Sequence, residues 1–216
     1  MKKVVLTVLI ALMLAVPAYA VENDPGIDQP IQQEQEKEPV VVASLDELQE
    51  AIDAAEDGDT IAISQEIQLT GQILTTDKQI NLIRSADYNG NVLRINNGTI
   101  IDNFTFLADR YDISGMIWVD TATFEAVNIR NCIFKSTIDE LTRFVNIYGG
   151  LFSDNIVYLE KCQFFNSSYG AISIKAHTDV VIDSCDFVDC NGALPGGAVS
   201  SIHQRYQHNR WIVCFW

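Results

Sequence analysis

The chain has 216 residues, of which 29 are acidic and 14 basic, so its formal net charge is −15 at pH 7. This excess of negative charge repels phosphates and argues against nucleic acid or anionic lipid as a partner. Neutral glycans, cations, or a role of the charge in solubility alone remain compatible with it.

The first twenty residues have the order of a secretory signal. Lys2 and Lys3 precede the apolar run 4–16, and Ala18-Tyr19-Ala20 is a small-x-small cleavage site. The run is short for a membrane span, which makes an uncleaved anchor the weaker alternative. We expect residues 1–20 to be a signal peptide. The mature protein should then be exported to the cell surface or periplasm, without membrane insertion.

Residues 21–40 have the composition of a disordered linker. Between Glu22 and Pro39 the chain carries three prolines, four glutamines and several acidic residues, with only Ile27 and Ile31 as large apolar side chains. Such a stretch buries too little surface to offset the entropy lost on ordering.

One amphipathic helix is predicted after the linker. Ser44 and Glu47 have the spacing of a capping box, and Gly58 suits a C-terminal stop. Apolar residues recur at helical spacing between them, at Leu45, Leu48, Ile52 and Ala55.

Beyond Asp59 the periodicity changes to two, as in short strands split by Gly, Asn and Asp. A six-residue phrase then returns every 23 to 30 residues: an apolar residue, two polar residues, Cys or a replacement, any residue, and Phe. Its four copies begin at Ile101, Ile129, Leu159 and Ile182. A second row of apolar segments keeps step with the first, beginning at Met116, Phe144, Ala171 and Ala198, at intervals of 28, 27 and 27.

Two rows with one period predict a solenoid in which each turn contributes at least two strands to two sheets. The equivalent positions should form columns in its core. The first column is Phe106, Phe134, Phe164 and Phe187; the second is Phe104, Cys132, Cys162 and Cys185; the third is Ile101, Ile129, Leu159 and Ile182. We interpret these aromatic and thiol side chains as core, without a cofactor.

The segment from Ser44 through Ile52 to Gly58-Asp59-Thr60-Ile61 resembles the capping helix and first strand of right-handed parallel β-helix proteins of the pectin-lyase-like superfamily. Ile80-Asn81-Leu82-Ile83 and the Cys-x-Phe phrases resemble its rungs. The resemblance implies an all-β, right-handed parallel β-helix of about five coils over residues 41–202, with one N-terminal capping helix. It implies no single activity, since the superfamily includes lyases, hydrolases, esterases and adhesins.

The resemblance supplies no site residue. Pectate-lyase-like members use an aspartate cluster for calcium with an arginine base, and polygalacturonase-like members carry Gly-His-Gly and Arg-Ile-Lys. This chain has no Asp-Asp pair and neither of those signatures. We therefore assign no catalytic, cofactor-binding or metal-binding residue, and we lean against an enzyme.

Candidate metal-binding and catalytic residues that lie close together in the sequence have little support. Asp183, Asp186 and Asp189 lie close enough in sequence for a Ca²⁺ site, but the first two have opposite parity along a strand, which favours a solvated row. The histidines, His177, His203 and His208, have no Ser or Cys partner at a recognisable spacing.

Four aromatic residues are candidates for stacking on sugar rings or for filling gaps at coil edges: Tyr111, Trp118, Tyr148 and Tyr158. Glycosylation sequons begin at Asn97, Asn103 and Asn166, in turns where chance matches are common.

Five cysteines make an odd count, and three of them occupy one position of successive repeats. That placement argues against a disulfide framework, and the absence of Cys-x-x-C argues against zinc.

The segment 203–216 is atypical because it contains no acidic residue. Trp211, Cys214 and Trp216 lie 29 residues beyond Ile182, Cys185 and Phe187, which suits a last rung. A truncated reading is the interpretation we favour. A solenoid without an end cap predicts end-to-end self-association.

The sequence thus favours an exported, non-catalytic β-helix module for binding or structure at a surface or envelope, with polysaccharide as the candidate partner. The alternative is an N-terminal fragment of a polysaccharide lyase or glycoside hydrolase, whose catalytic coils would follow residue 216. A cell-wall-anchored adhesin is a third, weaker reading.

Overall fold

The computed structural model describes residues 37–111, 115–121, 125–138, 142–149, 156–175, 178–192, 197–201 and 211–214. The predicted signal peptide, the linker up to residue 36 and all three histidines lie outside these ranges.

The described elements are one helix and seventeen strands. They are β1 (Val40–Val42), α1 (Leu45–Ala54), β2 (Thr60–Ile63), β3 (Ile67–Thr70), β4 (Ile73–Arg84), β5 (Leu93–Asn96), β6 (Ile100–Ala108), β7 (Ile117–Asp120), β8 (Val127–Arg130), β9 (Ile133–Ser136), β10 (Val145–Tyr148), β11 (Ile156–Glu160), β12 (Gln163–Phe165), β13 (Ile172–Lys175), β14 (Asp179–Asp183), β15 (Asp186–Val188), β16 (Val199–Ser201) and β17 (Trp211–Cys214).

All strand pairs are parallel, and they form three faces that the chain visits in turn. The first face stacks β1, β2, the second half of β4, the second half of β6, β9, β12 and β15. The second face stacks β3, β5, β7, β10, β13 and β16. The third stacks the first halves of β4 and β6 with β8, β11, β14 and β17. The predicted all-β parallel solenoid is confirmed, and its number of turns differs from the expected five by about one.

The phenylalanine column is confirmed. Phe106, Phe134, Phe164 and Phe187 stack face to face with ring centroids 4.9, 4.9 and 4.8 Å apart and planes within 8° of parallel. This spacing equals the distance of about 4.8 Å between neighbouring strands, so identical residues in register necessarily meet.

The other predicted rows also pair. Ile101, Ile129, Leu159 and Ile182 are successive partners on the third face. Ile117, Val145, Ile172 and Val199 are successive partners on the second face. The sequence predicted at least two strands per turn; the structure has three, because the six-residue phrase bends in its middle.

The bend lies at the residue before the cysteine position. Asn103, Asn131, Lys161 and Ser184 have φ of 68°, 52°, 54° and 53°, the left-handed region that asparagine tolerates better than most residues. Each one turns the chain from the third face to the first.

Helix α1 begins with the predicted capping residues Ser44 and Glu47, but the Glu47 carboxylate binds the amide one residue before the N-cap. The Ser44 hydroxyl accepts from the Glu47 amide at 3.3 Å, while the Glu47 carboxylate accepts from the Ala43 amide at 2.6 Å. Leu48 and Ile52 are buried against the first turn. The helix ends at Ala54, before the predicted stop, because Ala55 is already extended, and Gly58 serves the turn into β2.

At the other end, β17 pairs with β14, so the backbone of this segment forms a rung of the third face. The predicted alignment was wrong by two residues: Val213, and not Trp211, lies opposite Ile182. Connections between the faces differ in length from turn to turn, so a constant spacing does not set the register.

We predict that Phe164→Ala lowers the free energy of unfolding by about 3–5 kcal/mol, because it leaves a cavity between two stacked rings. Phe165→Ala, on the same strand but facing outward and half-buried, should cost about 1 kcal/mol. Urea denaturation measures both, and equal losses would contradict the stacked core.

We predict that Lys161→Ile costs about 1–2 kcal/mol, because a β-branched residue is strained at positive φ. Lys161 is exposed, so the measured change in the free energy of unfolding contains no contribution from lost core packing. Gln163→Ile, an exposed and extended position two residues on, is the control and should be nearly neutral. Neutrality at both positions would show that the bend tolerates any residue.

Candidate functional site

The second face directs two rows of side chains away from the core, because side chains alternate along a strand. One row is Gln68, Arg94, Trp118, Asn146, Ser173 and Ser200. The other is Thr70, Asn96, Asp120, Tyr148 and Lys175. Asn146, Ser173 and Ser200 are nevertheless buried, so at β10, β13 and β16 the first row is covered. We call these two rows the polar-aromatic surface; every member is polar or aromatic.

An aromatic pair lies in the middle of this surface. The rings of Trp118 on β7 and Tyr148 on β10 are 5.2 Å apart at an angle of 34°. Tyr148 is 50% exposed, and Trp118 is partly buried. The pair therefore offers an apolar platform of two rings on an otherwise polar sheet.

Of the four aromatic residues that the sequence suggested, the structure brings only these two together. Tyr158 lies on the third face, opposite Asn128 and Val181. Tyr111 is exposed after β6.

A charged group borders the platform. Arg94, the register neighbour of Trp118, lies 3.4 Å from Asp120 and 3.8 Å from Glu66. Arg94 is 41% exposed, so these ion pairs add at most about 1 kcal/mol to stability. Their effect is to place one positive and two negative groups beside the rings.

Three shielded side-chain atoms here have no hydrogen-bond partner among the described residues: Asn96 Oδ1 and Trp118 Nε1 on this surface, and Asn91 Oδ1 in the segment before β5. Buried polar atoms are normally paired, because an unpaired one costs about 1–3 kcal/mol.

The segment 85–92 that leads into this surface is held by a buried arginine. Arg84 donates from Nε to the Gly90 carbonyl at 2.6 Å and from Nη2 to the Gly115 carbonyl at 2.8 Å. Tyr88 Oη donates to the Asn91 carbonyl at 2.8 Å, and burial raises the pKa of Tyr88.

A second arginine binds the same segment from the next turn. Arg110 donates to the carbonyls of Ser85 and Ala86 at 3.1 and 2.9 Å and pairs with Asp109 at 2.8 Å. Sequence reasoning missed both arginines. The only available signal was a basic residue at or just after the end of an apolar strand, since Arg84 ends β4 and Arg110 follows β6 by two residues.

The three candidate aspartates do not converge. Asp183 lies on the third face opposite Glu160, and Asp186 on the first face opposite Gln163. Asp189 follows in a left-handed turn with φ of 53°. Within the described ranges, no group of three His, Cys, Asp or Glu side chains is placed to hold a metal ion.

The sequon asparagines are turn residues. Asn97, Asn103 and Asn166 have φ of 41°, 68° and 59°. Asn103 also donates from Nδ2 to the Thr76 carbonyl at 2.9 Å. The conformation explains why asparagine recurs at these positions.

Comparison of the chain with protein-family models, curated proteins and solved structures finds no match. In the part of the chain that the structure describes, no helix is long and apolar enough to cross a membrane.

We predict that Arg84→Met destabilises the protein by about 2–4 kcal/mol, since two shielded carbonyls lose their donors. Arg130→Met is the matched control: its ion pair with Asp102 at 2.9 Å is exposed and should contribute about 1 kcal/mol or less. Thermal and urea unfolding measure both. A smaller loss for Arg84→Met than for the control would show that Arg84 does not hold segment 85–92.

Proposed function

We propose that this protein is an exported, non-catalytic β-solenoid that binds a neutral glycan on its polar-aromatic surface. The observation that carries the proposal is the Trp118–Tyr148 pair, with ring centroids 5.2 Å apart on an outward sheet face. Aromatic rings bind the apolar faces of sugars while the surrounding polar groups bind hydroxyls.

The polar neighbours support the same ligand class. Gln68, Thr70 and Lys175 are exposed on the same surface, and Arg94 and Asp120 are partly exposed, so hydrogen-bond donors and acceptors surround the rings. The negative net charge of −15 favours a neutral glycan over an acidic one, because uronate or sulfate groups would be repelled.

Export is proposed from the order of Lys2, Lys3, the apolar run and Ala18-Tyr19-Ala20. Membership of the pectin-lyase-like superfamily, with its right-handed coil, is proposed from the resemblance of residues 44–61 and of the rungs. A non-catalytic role is favoured by the missing lyase and polygalacturonase signatures. A location at a cell surface or in a periplasm follows from the proposed export.

The test is a binding screen of the mature chain against insoluble and soluble neutral polysaccharides, followed by titration of any that bind. We expect Trp118→Ala and Tyr148→Ala each to weaken binding about tenfold, which corresponds to about 1.4 kcal/mol. Tyr111→Ala and Tyr158→Ala are matched controls elsewhere on the solenoid and should bind as the unchanged chain does.

Three outcomes contradict the proposal. The first is binding to no polysaccharide, and the second is undiminished binding by both platform variants. The third is release of sugar fragments during the assay, which would favour the lyase or hydrolase fragment instead.

A further inference from the structure

The cysteine column places three thiols on successive turns, directly before β9, β12 and β15. The thiols of Cys132, Cys162 and Cys185 each lie within reach of a carbonyl of the preceding turn, at 4.0, 3.5 and 3.4 Å. Each also lies 3.2 to 3.4 Å from the carbonyl two residues earlier in its own turn. All three are free thiols.

The three sites are not equivalent. Cys132 and Cys162 are fully buried, whereas Cys185 is partly exposed. The sulfur of Cys185 also accepts a hydrogen bond from the backbone amide of Cys162 at 3.4 Å. Cys185 therefore combines access to small molecules with a donor that stabilises its thiolate.

We infer that Cys185 and Cys162 are a redox pair, which a peroxide converts into a disulfide between adjacent turns. The Cys185 thiolate attacks one peroxide oxygen, the O–O bond breaks, and Cys185 becomes a sulfenic acid while hydroxide leaves. The Cys162 sulfur then attacks the Cys185 sulfur, and the departing hydroxyl takes up the thiol proton as water. The hydroxide takes up the proton that Cys185 released on ionising, so two thiols are oxidised to a disulfide and one hydrogen peroxide is reduced to two waters.

The geometry suits this bond. Gln163 and Asp186, the next residues of the two turns, are direct register partners, so Cys162 and Cys185 lie one above the other. The strand spacing of about 4.8 Å falls within the range of about 4.4–6.8 Å between Cα atoms in disulfides.

The electrostatics point to Cys185 as the residue that reacts first. The hydrogen bond from Cys162 lowers the pKa of Cys185. Burial and the nearby carboxylates of Asp183 and Asp186 raise it by less, so the pKa is lowered overall. The neighbouring thiols and burial raise the pKa of Cys162, which stays protonated. Burial raises the pKa of Cys190, a second partly exposed cysteine whose thiol lies 3.3 Å from the Phe164 carbonyl.

Cys190 therefore serves as an internal control that needs no mutation of the column. In a Cys214→Ser background, iodoacetamide at pH 7 should alkylate Cys185 about tenfold faster than Cys190. The thiolate is the nucleophile, and the pKa of Cys185 is lowered whereas that of Cys190 is raised. Peptide mass spectrometry gives both rates. Equal rates, or faster reaction of Cys190, would overturn the inference.

The second arm treats the same protein with hydrogen peroxide and maps the products. We expect a loss of two hydrogens per chain and a cross-linked peptide joining Cys162 to Cys185. In Cys162→Ser, Cys185 should instead be trapped by dimedone as the sulfenic acid, whereas Cys190→Ser should behave like the parent. A cross-link between other cysteines, or oxidation of Cys190 before Cys185, would overturn the pair.

Discussion

The structure depends on the register between successive parallel turns. Neighbouring strands lie about 4.8 Å apart, and any residue repeated at equivalent positions is therefore in contact with its own copies. The phenylalanine stack, with centroids 4.8 to 4.9 Å apart, shows how closely side-chain contact follows the backbone. A slip of one residue would turn every core side chain outward, which is why the buried rows hold the register so strictly.

The left-handed corners divide each turn into strands that lie on different faces. At Asn103, Asn131, Lys161 and Ser184 the chain turns at positive φ, and one apolar phrase becomes two strands on different faces. The same corner places the following cysteine inward, over the carbonyls of the turn before it. The thiol column thus results from the register between successive turns. Its reactivity depends on exposure, which within the column begins at Cys185.

The second face has a different character, since its outer rows are not repeats of one residue. There the register brings unlike neighbours together: Arg94 beside Trp118, and Asp120 beside Tyr148. Stacked turns bring register partners into contact, but outward-facing partners need not be the same residue type. The outer rows can therefore combine different side chains for binding. The buried Arg84 supports them by holding the segment before β5.

By itself the sequence determined the all-β solenoid, the capping helix and three of its core rows, because periodicity reports which residues share a face. It proposed four aromatic residues without distinguishing Trp118 and Tyr148 from the others, because their segments are 30 residues apart and connections between turns vary in length. Only the tertiary structure decided which of them meet, where Arg84 donates, and that Cys185 alone in the column is partly exposed. These properties belong to contacts between turns, and no local pattern encodes a contact whose register is set by the whole stack.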